Sequence, residues 1–278
     1  MGVNRNTSDA QLDFLLQVLQ ATADSNGDQQ VVYPLLAANT DKLNDKLVEL
    51  LRDWATTRLA ELEPDEAKSI AAFIVEYSEK ASNIEIAITG YEIALTVFTR
   101  EAFPVDWAMT QNNLGLAYYE RITGQKEQNL EDAIACYQLA LEVRTREAFP
   151  VDWAMTQNNL GLAYSDRITG PKAQNLEQAI ACYKLALEVR IRQAFPIDWA
   201  TTQYNLGNAY LERITGQKAQ NLEDAIACYQ LALEVRTREA FPIDWARTQN
   251  NLGNAYSERI TGQKAQNLEN AIPCYELA

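Results

Sequence analysis

EAFPVDWAMTQNNLGLAYYERITGQKEQNLEDAIACYQLALEVRTR, residues 101–146, is followed by a copy at 147–192 that differs from it at only seven places. A third copy occupies 193–238 and a shorter one 239–278. Trp returns at 107, 153, 199 and 245, Gly at 115, 161, 207 and 253, and Cys at 136, 182, 228 and 274, so every interval is 46 residues. A fixed period of this size marks a stacked array, in which each unit buries the apolar face of its neighbour. Working back toward the N-terminus, NIEIAITGYEIALTVFTREAFP from Asn83 matches the second half of the unit in register. A degenerate unit, 65–100, therefore precedes the four copies.

Within one unit the apolar spacing predicts two helices. The first is expected to start near Asp106 as N-cap, just after Pro104, with a buried stripe of Trp107, Gln111, Leu114, Tyr118 and Ile122. Ala108 and Gly115 beside that stripe leave room for another helix, and Gly124 is expected to take the left-handed conformation that ends the first helix. The second helix is expected to start at Asn129 as N-cap. It buries Leu130, Ala133, Ile134, Tyr137, Ala140 and Leu141, with Arg144 lying on its aliphatic stem. Glu142 and Arg146 read as an i,i+4 pair, and Phe149-Pro150 stops the helix. No stretch alternates with period two, so the class is all-α.

Composition removes many functions. The 278 residues hold 24 Lys and Arg against 38 Asp and Glu, a formal net charge of -14. That balance argues against a nucleic-acid backbone as partner. No apolar run approaches the ~20 residues that span a bilayer, and no secretory leader opens the sequence, so no membrane partner is expected. There is no histidine, which excludes Ser-His-Asp and Cys-His catalysis, His-ligated zinc and an imidazole pH switch. We expect no catalytic residue, no metal and no cofactor.

Leu114-Gly115, Tyr118, Ala133, Tyr137 and Ala140 resemble the tetratricopeptide (TPR) signature, and the match recurs at Leu160-Gly161, Tyr164, Ala179, Tyr183 and Ala186 and in both later units. The resemblance implies a right-handed superhelical solenoid of antiparallel helix pairs. Two departures stand out: the unit has 46 residues rather than 34, and Gln111 sits where the family has a large aromatic, a volume assigned to Trp107. The phrases TQNNLG, AYxERITG and NLExAIxCYxLALEVRTREAFP resemble the long-unit arrays of cyanobacterial proteins that carry a caspase-like CHAT protease domain. That likeness implies a sensing or docking array for an effector. NNLG also resembles kinesin-light-chain-type repeats, whose paired Asn residues help hold peptides.

Residues 1–64 read as a helical cap on the array. Ser8 is expected to cap a helix running through Asp24, Pro34 to break a short one, and Thr40 to cap a longer one reaching Leu62. An independent recognition domain is the competing reading. The four cysteines fall one per unit, too far apart for a disulfide or a shared ion, and read as small buried thiols suited to a reducing cytoplasm. Glu120-Arg121, Asp166-Arg167, Glu212-Arg213 and Glu258-Arg259 read as inter-repeat salt bridges rather than hydrolytic carboxylates.

The resemblance places the first helices on the inner, concave surface. Opposite their core stripe lie Met109, Asn112, Leu116, Tyr119 and Glu120, with Asn113 at the edge. Here the copies vary. Met109 and Met155 become Thr201 and Arg247. Asn112 and Asn158 become Tyr204, then Asn250. Leu116 and Leu162 become Asn208 and Asn254. The surface is thus apolar toward the N-terminal units and polar toward the C-terminal ones. Asn113, Asn159, Asn205 and Asn251 are the same in every copy and could hold peptide backbone, or form a ladder between repeats, or both. No Lys stands at the 112-type positions, so a clamp for a terminal carboxylate is not indicated. The expected function is a non-enzymatic protein-interaction array whose groove takes a peptide or helix of a partner. The alternative is self-assembly through the incomplete C-terminal unit, where Pro273 interrupts a helix at a cost of about 3 kcal/mol.

Overall fold

The computed structural model describes residues 59–80 and 84–277, with isolated positions at 14, 17, 21, 34, 52 and 53. The cap expected at 1–64 lies almost wholly outside the described residues. A 3-10 turn spans Leu59–Glu61. Ten α-helices follow among the described residues: α1 (Pro64–Lys80), α2 (Ile84–Val97), α3 (Pro104–Glu120), α4 (Lys126–Leu141), α5 (Pro150–Asp166), α6 (Lys172–Leu187), α7 (Pro196–Glu212), α8 (Lys218–Leu233), α9 (Pro242–Glu258) and α10 (Lys264–Leu277). No strand occurs among those residues. The all-helical, solenoid-like TPR-type fold of tandem helix pairs is the one the period predicts.

The chain divides into two compact units, Met1–Val143 and Arg144–Ala278. In the first, α1 pairs with α2 and α3 with α4, and α2 packs on α3. In the second, α5 pairs with α6, α7 with α8 and α9 with α10, while α6 packs on α7 and α8 on α9.

The pairs α3–α4, α5–α6 and α7–α8 close over the second-helix tyrosine. Tyr137, Tyr183 and Tyr229 are fully buried with Leu130, Leu176 and Leu222. The facing glycine exists to admit the ring: a Cβ on Gly115 would stand 2.8 Å from Tyr137 Cε1, and one on Gly161 2.7 Å from Tyr183 Cε1. Real Cβ atoms do not approach that closely, so a larger residue here must push the helices apart.

Several local expectations need correction. The first helices start at Pro104 and its equivalents, with Phe103 as N-cap and no side-chain cap. Proline at the first position has its φ preset and no amide to satisfy, so it initiates the helix two residues ahead of Asp106. Asp106 then lies in the first turn, where its charge suits the helix dipole. The second helices start at Lys126, not at Asn129. Asn129 is buried one turn inside, and its Nδ2 donates to the carbonyls of Thr123 (2.8 Å) and Arg121 (3.3 Å). Asn175, Asn221 and Asn267 repeat this loop clamp. Gly124 has φ +75 as expected, but in the loop, because α3 has already ended at Glu120. Ile122 is not core; it is 94% exposed, since the extended backbone at Arg121 breaks the helical period just before it.

The predicted Glu142–Arg146 pair is replaced by longer connections. Arg146 pairs with Glu188, Arg192 with Glu234 and Arg100 with Glu142, each tying one repeat to the next. The second helix ends at Leu141, so 142 and 146 do not share a helical face. The expected bridges at Arg121 and its equivalents are present and bidentate. Arg121 grips Glu85 at 2.7 and 2.8 Å, Arg213 grips Glu177 and Arg259 grips Glu223. Those guanidinium hydrogen bonds hold the three carboxyls below their ordinary range.

Candidate functional site

The first helices are built to touch one another. Within the second unit α7 contacts both α5 and α9, and within the first α3 contacts α1. The side chains between them are amides. Asn113 Nδ2 donates to Glu79 Oε1 at 2.7 Å. Asn205 Nδ2 and Thr202 Oγ1 both donate to Asn158 Oδ1, at 3.3 and 3.2 Å. Asn251 Nδ2 donates to Asn208 Oδ1 at 2.9 Å and to the Tyr204 hydroxyl at 3.1 Å. Asn113, Asn205 and Asn251, equivalent residues of three copies, thus each reach back to the preceding repeat, the inter-repeat role that the sequence left open.

These contacts sort the expected inner-face residues into two groups. Asn112, Asn158 and Asn205 are buried. Asn112 Nδ2 donates to Asn113 Oδ1 at 3.3 Å. Asn112 and Asn158 are thus turned away from the open face, whereas their equivalent Asn250 stays on it. Met109, Asn113, Tyr119, Met155, Asn159, Leu162, Tyr204, Asn208, Asn251 and Asn254 are half-buried, and Leu116, Arg247 and Asn250 are exposed. Tyr204 is engaged internally: the Arg236 guanidinium lies 4.8 Å above its ring, and the ring packs on Tyr229 at 6.0 Å. Asn208 and Asn254 accept from the hydroxyls of Tyr229 (2.8 Å) and Tyr275 (3.0 Å).

Two hollows open on this surface. One in the first unit has a volume of about 330 Å³ and is lined by Asn113, Leu116, Glu120, Glu79 and Tyr91 among others. One in the second unit, also about 330 Å³, is lined by Leu162, Asp166, Tyr183, Asn205, Asn208 and Glu212 among others. Both lie at the small end of the range for ligand pockets.

The arginine expected to lie on its aliphatic stem buries its guanidinium as well, and so do its equivalents. Arg144, Arg190 and Arg236 are buried, and their Nη1 groups donate to Thr156, Thr202 and Thr248 at 3.1, 3.0 and 3.3 Å. Desolvation pulls their pKa values down, partly offset by Asp152, Asp198 and Asp244. The available signal was the pairing of Arg with a Thr twelve residues on, repeated at 144/156, 190/202 and 236/248. In the first unit the same position holds Phe98, which is buried edge-on against Phe103 at 5.8 Å. The cysteines are free and buried, and burial pushes the thiols of Cys136, Cys182 and Cys228 up to about 12. No group of residues able to hold a metal ion occurs among the described residues. No helix among them is long and apolar enough to cross a membrane.

The fold and its surface define an all-helical tandem repeat array, with helix pairs as the unit and amide ladders as the joints. The repeat is a Sel1 repeat: that family model matches residues 108–142, 154–188, 200–234 and 246–278. The chain carries four of them in tandem, and proteins of this kind generally act as protein-interaction scaffolds without catalytic function. Among solved structures, the crystal structure of BtubC (BKLC) from P. vanneervenii is similar, with 18% identity, 95% of this chain and 88% of that chain covered and a TM-score of 0.45. No curated protein sequence matches.

Proposed function

We propose that this chain is an interaction scaffold that docks a peptide or helix of a partner protein on the face formed by its first helices. The observation that supports this reading is that the first helices of each unit leave apolar side chains accessible, Met109 and Leu116 in one and Met155 and Leu162 in the other, at positions that vary between copies while the core stripe does not. Asn158 and Asn205 join two first helices of the second unit from within. The accessible asparagines offer both donors and acceptors to a ligand backbone. The likeness of the repeat phrases to CHAT-protease arrays supports a finer version, in which the docked segment belongs to an effector.

The test replaces Leu116 and Leu162 together by Asn, the residue that the later copies carry at 208 and 254. Helicity and melting are expected to stay unchanged while capture of the partner is lost. Unchanged capture removes this face from the reading. Self-assembly remains a second reading because Leu268, Ile272 and Tyr275 of α10 form an exposed apolar patch. Light scattering over a concentration series that shows only monomer rejects it.

A further inference from the structure

The two hollows are the same place in the repeat. Asn113, Leu116, Ala117 and Glu120 line the first, and Asn205, Asn208, Ala209 and Glu212, two periods further on, line the second. Their floors correspond as well, with Ile84 and Tyr91 in one and Leu176 and Tyr183 in the other. Each has an aliphatic and aromatic floor, amides on its wall and two carboxylates: Glu79 and Glu120 in the first, Asp166 and Glu212 in the second. Neither is lined by a Lys or an Arg.

The carboxylates are placed against local electrostatics. Glu120, Asp166, Glu212 and Glu258 are each the last residue of a first helix, where the dipole already presents partial negative charge. An acid at that end is unfavourable unless a cation neutralises both. At Glu212 and Glu258 the chain itself supplies a cation: Lys172 Nζ reaches Glu212 at 2.8 Å and Lys218 Nζ reaches Glu258 at 3.3 Å. Those lysines are themselves the first residues of second helices, again the wrong sign for the dipole. Such exposed pairs contribute little to stability. The position thus accepts an ammonium and holds its own one weakly.

On these grounds, and resting on the docking reading above, we propose that each hollow receives a Lys or Arg side chain of a basic peptide segment. The aliphatic stem lies on the Leu–Tyr floor and the charged head meets the helix-end carboxylates. An Arg fork gains more than the resident Lys by bidentate pairing. The net charge of -14 steers such a segment toward the array.

The test is fluorescence anisotropy with three labelled peptides of equal length that repeat Arg-Ala-Leu, Gln-Ala-Leu or Glu-Ala-Leu. The Arg peptide is expected to bind at least about tenfold more tightly than the Gln peptide. The double variant Asp166→Asn, Glu212→Gln is expected to weaken it by about tenfold or more. Glu147→Gln with Glu239→Gln removes the same charge from exposed residues outside the hollows and is expected to leave binding within about twofold. Equal loss in the two double variants reduces the effect to diffuse attraction and overturns the proposal. So does tight binding of the Gln or Glu peptide that is lost on Leu116→Asn with Leu162→Asn, but that result leaves the docking face standing. No binding by any peptide, together with partner capture that survives the leucine changes, overturns both.

Discussion

Helices α8 and α10 carry almost the same sequence and live in opposite surroundings. AQNLEDAIACYQLA in one is AQNLENAIPCYELA in the other. Ile226 is 5% exposed and Tyr229 0%, whereas Ile272 is 52% exposed and Tyr275 41%. The difference is the neighbour: α8 is packed between α7 and α9, while α10 packs on α9. Apolar character therefore marks a residue as able to be buried, and the next helix pair decides whether it is.

The largest expected effect breaks that comparison directly. Tyr229→Ala opens a cavity between two helix pairs and should lower stability by ~3–5 kcal/mol, as for other large aromatics. Tyr275→Ala should lose only about 1 kcal/mol, its hydrogen bond to Asn254 and some half-buried area. Urea unfolding of the two variants measures the gap, and equal losses would mean that α10 is covered in solution. A second contrast is smaller. The Cβ of Gly207→Ala would meet the Tyr229 ring at 2.7 Å, and that of Gly253→Ala would meet the Tyr275 ring at the same 2.7 Å. The first ring is enclosed and should cost ~1–3 kcal/mol of overpacking. The second can swing into solvent, so the ~1 kcal/mol helix-propensity gain of Ala over Gly leaves that variant near neutral.

The smallest contrast is read through pH. Burial raises the thiol of Cys228 from 9.0 to about 12 and raises that of Cys274 as well. A raised value means the folded state keeps the proton that the unfolded chain gives up. This contribution is therefore complete below 9.0 and declines as pH climbs toward about 12. Urea midpoints should fall across that window, and less so for a Cys228→Ala variant. Thiol reagents should modify Cys274 first, because its helix is open on the side of Ile272 and Tyr275.

The acid side behaves in the opposite sense. Glu177 and Glu223 sit below their ordinary value through Arg213 and Arg259, so their contribution is present above 4.5 and is lost as pH falls through the lowered values. Both carboxylates are partly exposed, and screening keeps the effect small.

Much of the array was legible before any coordinates. The close helix approach at Gly115, the buried cysteines and the inter-repeat bridges at Arg121 follow from residue size, polarity and a period long enough to read without ambiguity. Local geometry was less legible. Asn129 has the chemistry of an N-cap, yet it clamps a loop carbonyl from inside the helix. Arg144 was taken for a stem along the stripe, yet its whole guanidinium is buried against Thr156. In each case the residue type permits two hydrogen-bonding partners at similar sequence distance, and only packing selects one. The same holds for the amides of the candidate site: Asn112 and Asn250 are equivalent by register, but one is buried and the other exposed.

What the sequence determined by itself is the unit: two helices, a glycine that lets another helix come close and a repeat of 46 residues, because period and side-chain volume are local properties of the chain. Tertiary structure decided which faces of those units stay open. Among the described residues it turned asparagines into inter-repeat joints, hollowed equivalent acidic recesses beside them and left an apolar patch of α10 uncovered, because exposure depends on what stands next to a residue and not on the residue.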